Sequence, residues 1–156
     1  MPPSSPDVPR VPASAGALIY DEAGLLLILK PTYKKGWTIP GGQIDAGESP
    51  WEACMRETRE ECALEIDHAR LACVDFLPAR KDRPGGMRFL FDCGVLGAAI
   101  LAQIEIDEIE IEDHRLAPLP EALELLSGPI GRRVGACAGK KSCVYLENGR
   151  PVDAVD

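Results

Sequence analysis

The chain has little that would tie it to a membrane or to a nucleic-acid polymer. No apolar run approaches the about 18 residues that a bilayer-spanning helix needs; the longest, Leu25 to Leu29, is the length of a buried strand. Basic charge is scarce. Lys and Arg number 17 against 25 Asp and Glu, a net charge of −8, which argues against a broad surface for DNA or RNA. That balance still permits a small polyphosphate, if a metal ion or a local basic loop supplies positive charge. Histidine is limited to His68 and His114, both isolated, and the cysteines at 54, 62, 73, 93, 137 and 143 form no C-x-x-C pair. Zinc-type spacing and a disulfide framework are therefore disfavoured, and reduced thiols are expected, Cys54, Cys62, Cys73 and Cys93 packing as small hydrophobes. The first residues lack the basic and apolar regions of a secretory signal, so a cytoplasmic protein is expected. No internal repeat and no Gly-Lys-Ser/Thr of a P-loop is present.

What is there fits a soluble globular protein: 46% of the 156 residues are apolar and 27% charged. Five of the first twelve residues are proline, which predicts a disordered or extended tail over 1–12 and one domain over 13–156. "GALIY" and "LLLILK" flank the turn signal "DEAG", predicting a β-hairpin over 16–30. "WTIP" is a short extended piece closed by Pro40. Strands are predicted at 70–77, 87–96, 100–106 and 109–119, the last with alternating Ile and Glu. "LPEALELLSG" reads as a helix with Pro120 near its start and Gly128 past its end, and 130–139 as a weaker helix. "SCVYLENGRP" is a final strand and turn. The order predicts an α/β fold, one mixed sheet between helical layers.

The densest signal is "GGQIDAGESPWEACMRETREECALEI", Gly41 to Ile66. Ser49 is a good N-cap, Pro50 suits the first helical position, and Glu52 completes a capping box. At about 100° per residue, Trp51, Cys54, Met55, Thr58 and Cys62 share one side. Glu57, Glu60 and Glu61 form an adjacent stripe. Like charges at this spacing each cost a helix roughly 0.2–0.5 kcal/mol, and the negative end of the helix dipole adds to the penalty. A divalent cation reverses both terms, since Mg²⁺ prefers oxygen ligands. The helix alone leaves two readings open, a solvated face neutralised by Arg56 and Arg59 or a cation site. Glycines in the loop before it permit close backbone approach, so a carbonyl there could join a metal shell, and Glu48 could point the same way.

This stretch resembles the Nudix hydrolase signature, G-x5-E-x7-R-E-U-x-E-E-x-G-U with U a bulky aliphatic. Gly42, Glu48, Arg56-Glu57, Glu60-Glu61 and Leu64 fall in register. Thr58 replaces an aliphatic, and Ala63 replaces a Gly that normally permits a left-handed helix end. The resemblance implies a Nudix-type α/β/α sandwich. It implies hydrolysis of a nucleoside diphosphate derivative (dNTP or NTP, ADP-ribose or similar) with Mg²⁺ or Mn²⁺, Glu57, Glu60, Glu61 and the carbonyl of Gly41 holding metal. Arg56 would orient the carboxylates, and Glu57 or Glu61 would act as base. Many relatives take a base from a later loop, and "IDEIEIEDH" offers Asp107, Glu108, Glu110, Glu112 and Asp113, with Glu108 and Glu112 put forward. Tyr33 could stack on a base, and Lys34, Lys35, Arg80, Lys81, Arg83 and Arg88 could contact phosphate. A small nucleotide-type substrate is the expected partner, without membrane or nucleic-acid polymer. A homodimer is compatible with the family. The alternative is a Nudix-like nucleotide-binding sensor without turnover.

Overall fold

The structure, a computed structural model, describes residues 8–156. Most of the expected Pro-rich tail, residues 1–7, lies outside that range; Val8 to Pro12 carry no helix or strand, and Pro12 O accepts the Met87 N–H at 3.0 Å.

Strands β1 (Ala13–Tyr20) and β2 (Leu26–Pro31) form the predicted hairpin. At its turn Asp21 Oδ1 accepts from Ala23 and Leu25 N–H, and Gly24 takes φ +82°. The two strands pair directly at Tyr20 and Leu26. Further from the turn, Thr38–Pro40 lie between them: Leu29 N–H donates to Thr38 O at 2.7 Å, and Ala17 N–H to Pro40 O at 2.8 Å. The inserted segment continues as β3 (Gly41–Gln43) along β1 and delivers the chain to α1 (Pro50–Cys62). There follow β4 (Arg70–Leu77), β5 (Gly86–Val95), α2 (Ala98–Leu101), β6 (Ile111–Ala117), α3 (Leu119–Leu125), α4 (Gly128–Cys137), β7 (Val144–Glu147) and β8 (Arg150–Pro151).

All eight strands form one sheet, ordered β6-β2-β1-β5-β4-β7-β8 with β3 beside β1. It is mixed: β1 with β5 and β4 with β7 run parallel, the other pairs antiparallel. Both faces are covered. Ala17, Ile19, Leu27 and Leu29 face α1, while Leu18, Leu26 and Ile28 face α3 and α4. Burial on both faces is why β2 reads as an unbroken apolar run rather than an alternation. The expected sandwich is present. Among the described residues no helix is long and apolar enough to cross a membrane. Five cysteines are buried, Cys143 is exposed, and all six are free.

One expected strand is absent. Residues 100–106 are the end of α2 and the turns after it, not a strand. The backbone there serves the end of α1 instead: Glu105 N–H donates to Cys62 O and Asp107 N–H to Glu61 O, each at 3.1 Å. These carbonyls belong to the last turn of a helix, where no N–H donor of the helix itself reaches them.

Helix α1 begins as its sequence predicts, with Ser49 Oγ accepting the Glu52 N–H at 3.1 Å. Its two departures from the signature leave physical traces. Thr58 is fully buried and its hydroxyl has no partner among the described residues. Ala63 ends the helix at φ 58° and ψ 26°, the left-handed region that disfavours a Cβ. Thr58→Val and Ala63→Gly are each expected to stabilise the protein by about 1 kcal/mol, one by removing an unsatisfied polar group and the other by relieving strain. Urea denaturation of the two variants measures both effects; an unchanged midpoint would discount them.

Candidate active site

At one helical turn apart, Glu57 and Glu61 project from the same side of α1 toward β3. Glu61 is 3% exposed, and its Oε1 accepts the Gly41 N–H at 2.7 Å. Because Gly16 and Gly41 form the pair flanked by the Ala17 N–H to Pro40 O bond, Gly41's own amide and carbonyl stay out of the ladder with β1. The amide serves Glu61, and the carbonyl is left available on that side. Gly42 sits closer still: a Cβ there would lie 2.6 Å from the Glu57 carboxyl. Since that obstacle is the end of a flexible side chain, Gly42→Ala is expected to fold but to displace Glu57. A drop of about 10- to 100-fold in divalent-cation affinity should follow, read by calorimetry.

Arg56 ties the surroundings together. Its Nε and Nη2 fork onto Glu48 at 2.7 and 2.9 Å, Nη2 also donates to Gln43 O at 3.1 Å, and Nη1 reaches Glu57 Oε1 at 2.9 Å and Glu60 Oε2 at 3.2 Å. The guanidinium beside Glu48, helped by the Asp45 N–H, holds that carboxyl down at about 2. Glu48 is therefore committed to Arg56 rather than aimed at the carboxylate cluster. Arg59 pairs with Glu65 at 2.6 Å and takes no part.

The acids that converge are Glu57, Glu61 and Glu110, each offering one oxygen within 4.8 Å of the others. Glu60, expected among them, has a side chain 55% exposed and bonds to Arg56 at the rim. Glu108 and Glu112 are not in the cluster either. The expected alternation fails because Glu110 precedes β6: Ile111 N–H turns back to Asp107 O at 2.7 Å, while Thr32 N–H and Oγ1 hold the carbonyls of Glu110 and Ile109. The register with β2 also shifts at Pro31–Ile111. Glu112 instead lies 3.7 Å from Lys30. Nothing local in "IDEIEIEDH" distinguishes Glu110 from its neighbours.

Three carboxylates with few donors between them repel one another, which favours uptake of either a proton or a hard cation. Burial, opposed by the Gly41 N–H and reinforced by Glu57, Glu110 and Glu60, pushes the Glu61 carboxyl up to about 8. Burial raises Glu57 too, against the pull of Arg56. A folded-state value above the usual 4.5 means that the folded protein holds the extra proton between about pH 4.5 and 8. This contribution to stability is complete below the unfolded value and lost as pH rises through the folded one, on the order of 5 kcal/mol across the window. The metal-free protein should melt at lower temperature at pH 8 than near pH 5. Stabilisation by Mn²⁺ should grow over the same range as the cation displaces the proton. A Mn²⁺ effect independent of pH would count against a proton shared with the cation site.

Beside the carboxylates lies a cavity of about 210 Å³, lined by Tyr33, Lys34, Gly41, Gly42, Arg88 and Arg133 among others. The strip Gly41–Gly42 is common to both, touching Glu61 and Glu57 as well as lining the cavity. Of the expected substrate residues, Tyr33, Lys34 and Arg88 are there, while Lys35, Arg80, Lys81 and Arg83 are not among its lining. Arg80 belongs to a tight exposed turn closed on Arg83. Arg133, on α4, is the cavity residue the sequence reading missed, because only its distant partner Asp75 reveals it.

A model of the NUDIX domain matches residues 10–134. The 8-oxo-dGDP phosphatase NUDT18 of Danio rerio is 28% identical over 119 residues, 72% of this chain and 35% of that protein. The chain thus spans about a third of that curated relative's length. Among solved structures, a MutT protein from Methanosarcina mazei Go1 superposes with a TM-score of 0.66 at 22% identity, covering 87% of this chain and all of that one. A Caenorhabditis elegans Ap4A hydrolase superposes with a TM-score of 0.61 at 25% identity, covering 81% and 96%.

Proposed function

Since the chain belongs to the Nudix hydrolase family, we propose that it hydrolyses the pyrophosphate linkage of a nucleoside diphosphate derivative in a reaction dependent on Mg²⁺ or Mn²⁺. The convergence of Glu57, Glu61 and Glu110 within 4.8 Å carries the reading. Oxygen ligands in that number suit Mg²⁺ or Mn²⁺, which keep waters in the remaining positions. Glu57, Glu61 and the Gly41 carbonyl would hold the ion. Bound there, the cation supplies neutralisation of the diphosphate and a more acidic water.

The protein's own groups do the rest. The Gly41 N–H fixes Glu61, and Arg56 fixes Glu57 through a charge-assisted bond. Glu110 has no side-chain donor among the described residues and sits on a turn, so its carboxylate is the one free to take a proton from the attacking water. Tyr33, 69% exposed at the cavity, would stack on the substrate's base.

The test is a panel of dNTPs, NDPs, ADP-ribose, dinucleoside polyphosphates and nucleotide sugars with Mg²⁺ and Mn²⁺, run on wild type and Glu110→Gln. Turnover that needs the metal and falls about 100-fold or more in Glu110→Gln supports the assignment. Tight binding of one nucleotide without turnover would make the protein a sensor instead.

A further inference from the structure

The cavity beside the carboxylates is built from two unlike parts. Ile39, Leu90 and Ile130 make apolar walls, while Arg88 and Arg133 bring guanidinium groups to it. Arg133 is only 6% exposed, and its Nε is fixed on Asp75 Oδ2 at 2.8 Å. The other Asp75 oxygen accepts the Gly149 N–H at 2.9 Å. The Nη1 and Nη2 of Arg133 meet no protein acceptor among the described residues, yet they are not sealed in like the Arg83 nitrogens. Arg133 is among the residues that line the cavity. Arg88 is paired across the sheet with Asp75 on β4 and Ser14 on β1, which puts it on the same sheet face. It forms no ion pair among the described residues; Nη1 reaches only the neighbouring Met87 carbonyl, at 3.2 Å. Burial, then the charge of Arg133, lowers its pKa against the pull of Asp75.

Guanidinium groups offer donors and no acceptor. Whatever fills this end of the cavity must therefore present acceptors. A phosphate would do so, but the Leu90, Ile39 and Ile130 walls would strip its water without replacing it. A planar base suits those walls, and the substrate's phosphates already have their place on the carboxylate side of Gly41–Gly42. Among bases, guanine shows two adjacent acceptors, O6 and N7, which arginine reads as a pair. Adenine puts an amino donor where O6 would be, setting donor against donor, and pyrimidines lack the pair.

We infer that this cavity selects a 6-oxopurine base, its O6 and N7 edge read by the free guanidinium nitrogens of Arg133 and Arg88. Resting on the nucleotide-hydrolase reading, it names the substrate class of that site.

The experiment measures calorimetric binding of GMP, IMP, AMP, UMP and inorganic phosphate in Mg²⁺, and kcat/KM on the corresponding di- and triphosphates. GMP and IMP should bind alike and exceed AMP by about 10- to 100-fold. The same ratio should appear in kcat/KM and collapse toward one in Arg88→Met and in Arg133→Lys. If Arg133→Lys fails to fold, Arg88→Met decides alone. AMP binding as tightly as GMP, or a ratio unchanged in Arg88→Met, would overturn the inference. So would phosphate alone competing as well as GMP, which would assign the arginines to a phosphate. Metal-dependent turnover without preference among bases removes this inference and leaves the hydrolase. Guanine-selective binding without turnover of any nucleotide does the reverse.

Discussion

Glu57→Gln is expected to lower kcat/KM by about 10³-fold while the protein stays folded. The side chain is 14% exposed, bonded to Arg56 Nη1 at 2.9 Å, and one of the three converging acids. Gln preserves its volume and its bond to Arg56 but removes one of the charges that a cation would meet. Losing that charge forfeits several kcal/mol of transition-state stabilisation, and each 1.36 kcal/mol is tenfold in rate. Stability should move the other way. Burial already disfavours the ionised form, so the metal-free melting temperature of Glu57→Gln should equal or exceed that of wild type, while the stabilisation by Mg²⁺ shrinks. Glu60→Gln is the internal comparison: at the exposed rim, it should cost about tenfold or less through the loosening of Arg56. Equal losses in the two variants would show that helix charge in general, rather than the converging set, supports the activity.

Asp75→Ala is expected to destabilise the fold by about 3–5 kcal/mol, a large part of the roughly 5–15 kcal/mol typical of a domain. Asp75 is fully buried on β4, and it holds Arg133 of α4 through Nε and the turn between β7 and β8 through Gly149 N–H. Truncation leaves a guanidinium at 6% exposure without its counter-charge and a buried amide without its acceptor. The cost comes from the stranded charge more than from the loss of a favourable pair. The double variant Asp75→Leu, Arg133→Met should therefore recover most of the stability. Urea denaturation of both distinguishes the cases; a double variant as unstable as Asp75→Ala would place the cost in packing instead.

How much of this was legible beforehand follows from the range of the forces involved. Helix α1 was predicted from its cap to its last turn because every determinant lies within about 15 residues: Ser49, Pro50, the apolar stripe and the carboxylate spacing. The bounds of β4 agree with expectation for a similar reason, an apolar run ended by Pro78. Residues 100–106 depart from expectation because an Ile-rich segment looks the same whether it pairs with a strand or caps a helix. The deciding partners, the carbonyls of Glu61 and Cys62, lie about 40 residues back in the chain.

The amino-acid sequence by itself determined the family, the mixed sandwich and the charged set on α1, because periodicity, capping and fixed spacing act locally and survive in the string of letters. Tertiary structure alone decided that Glu110 joins Glu57 and Glu61 while Glu60 stays at the rim. It alone placed Arg133 beside Arg88 at a cavity. Those outcomes rest on a turn held by Thr32 and on an ion pair spanning 58 residues, and charges meeting across such distances leave no mark on the pattern of their neighbours.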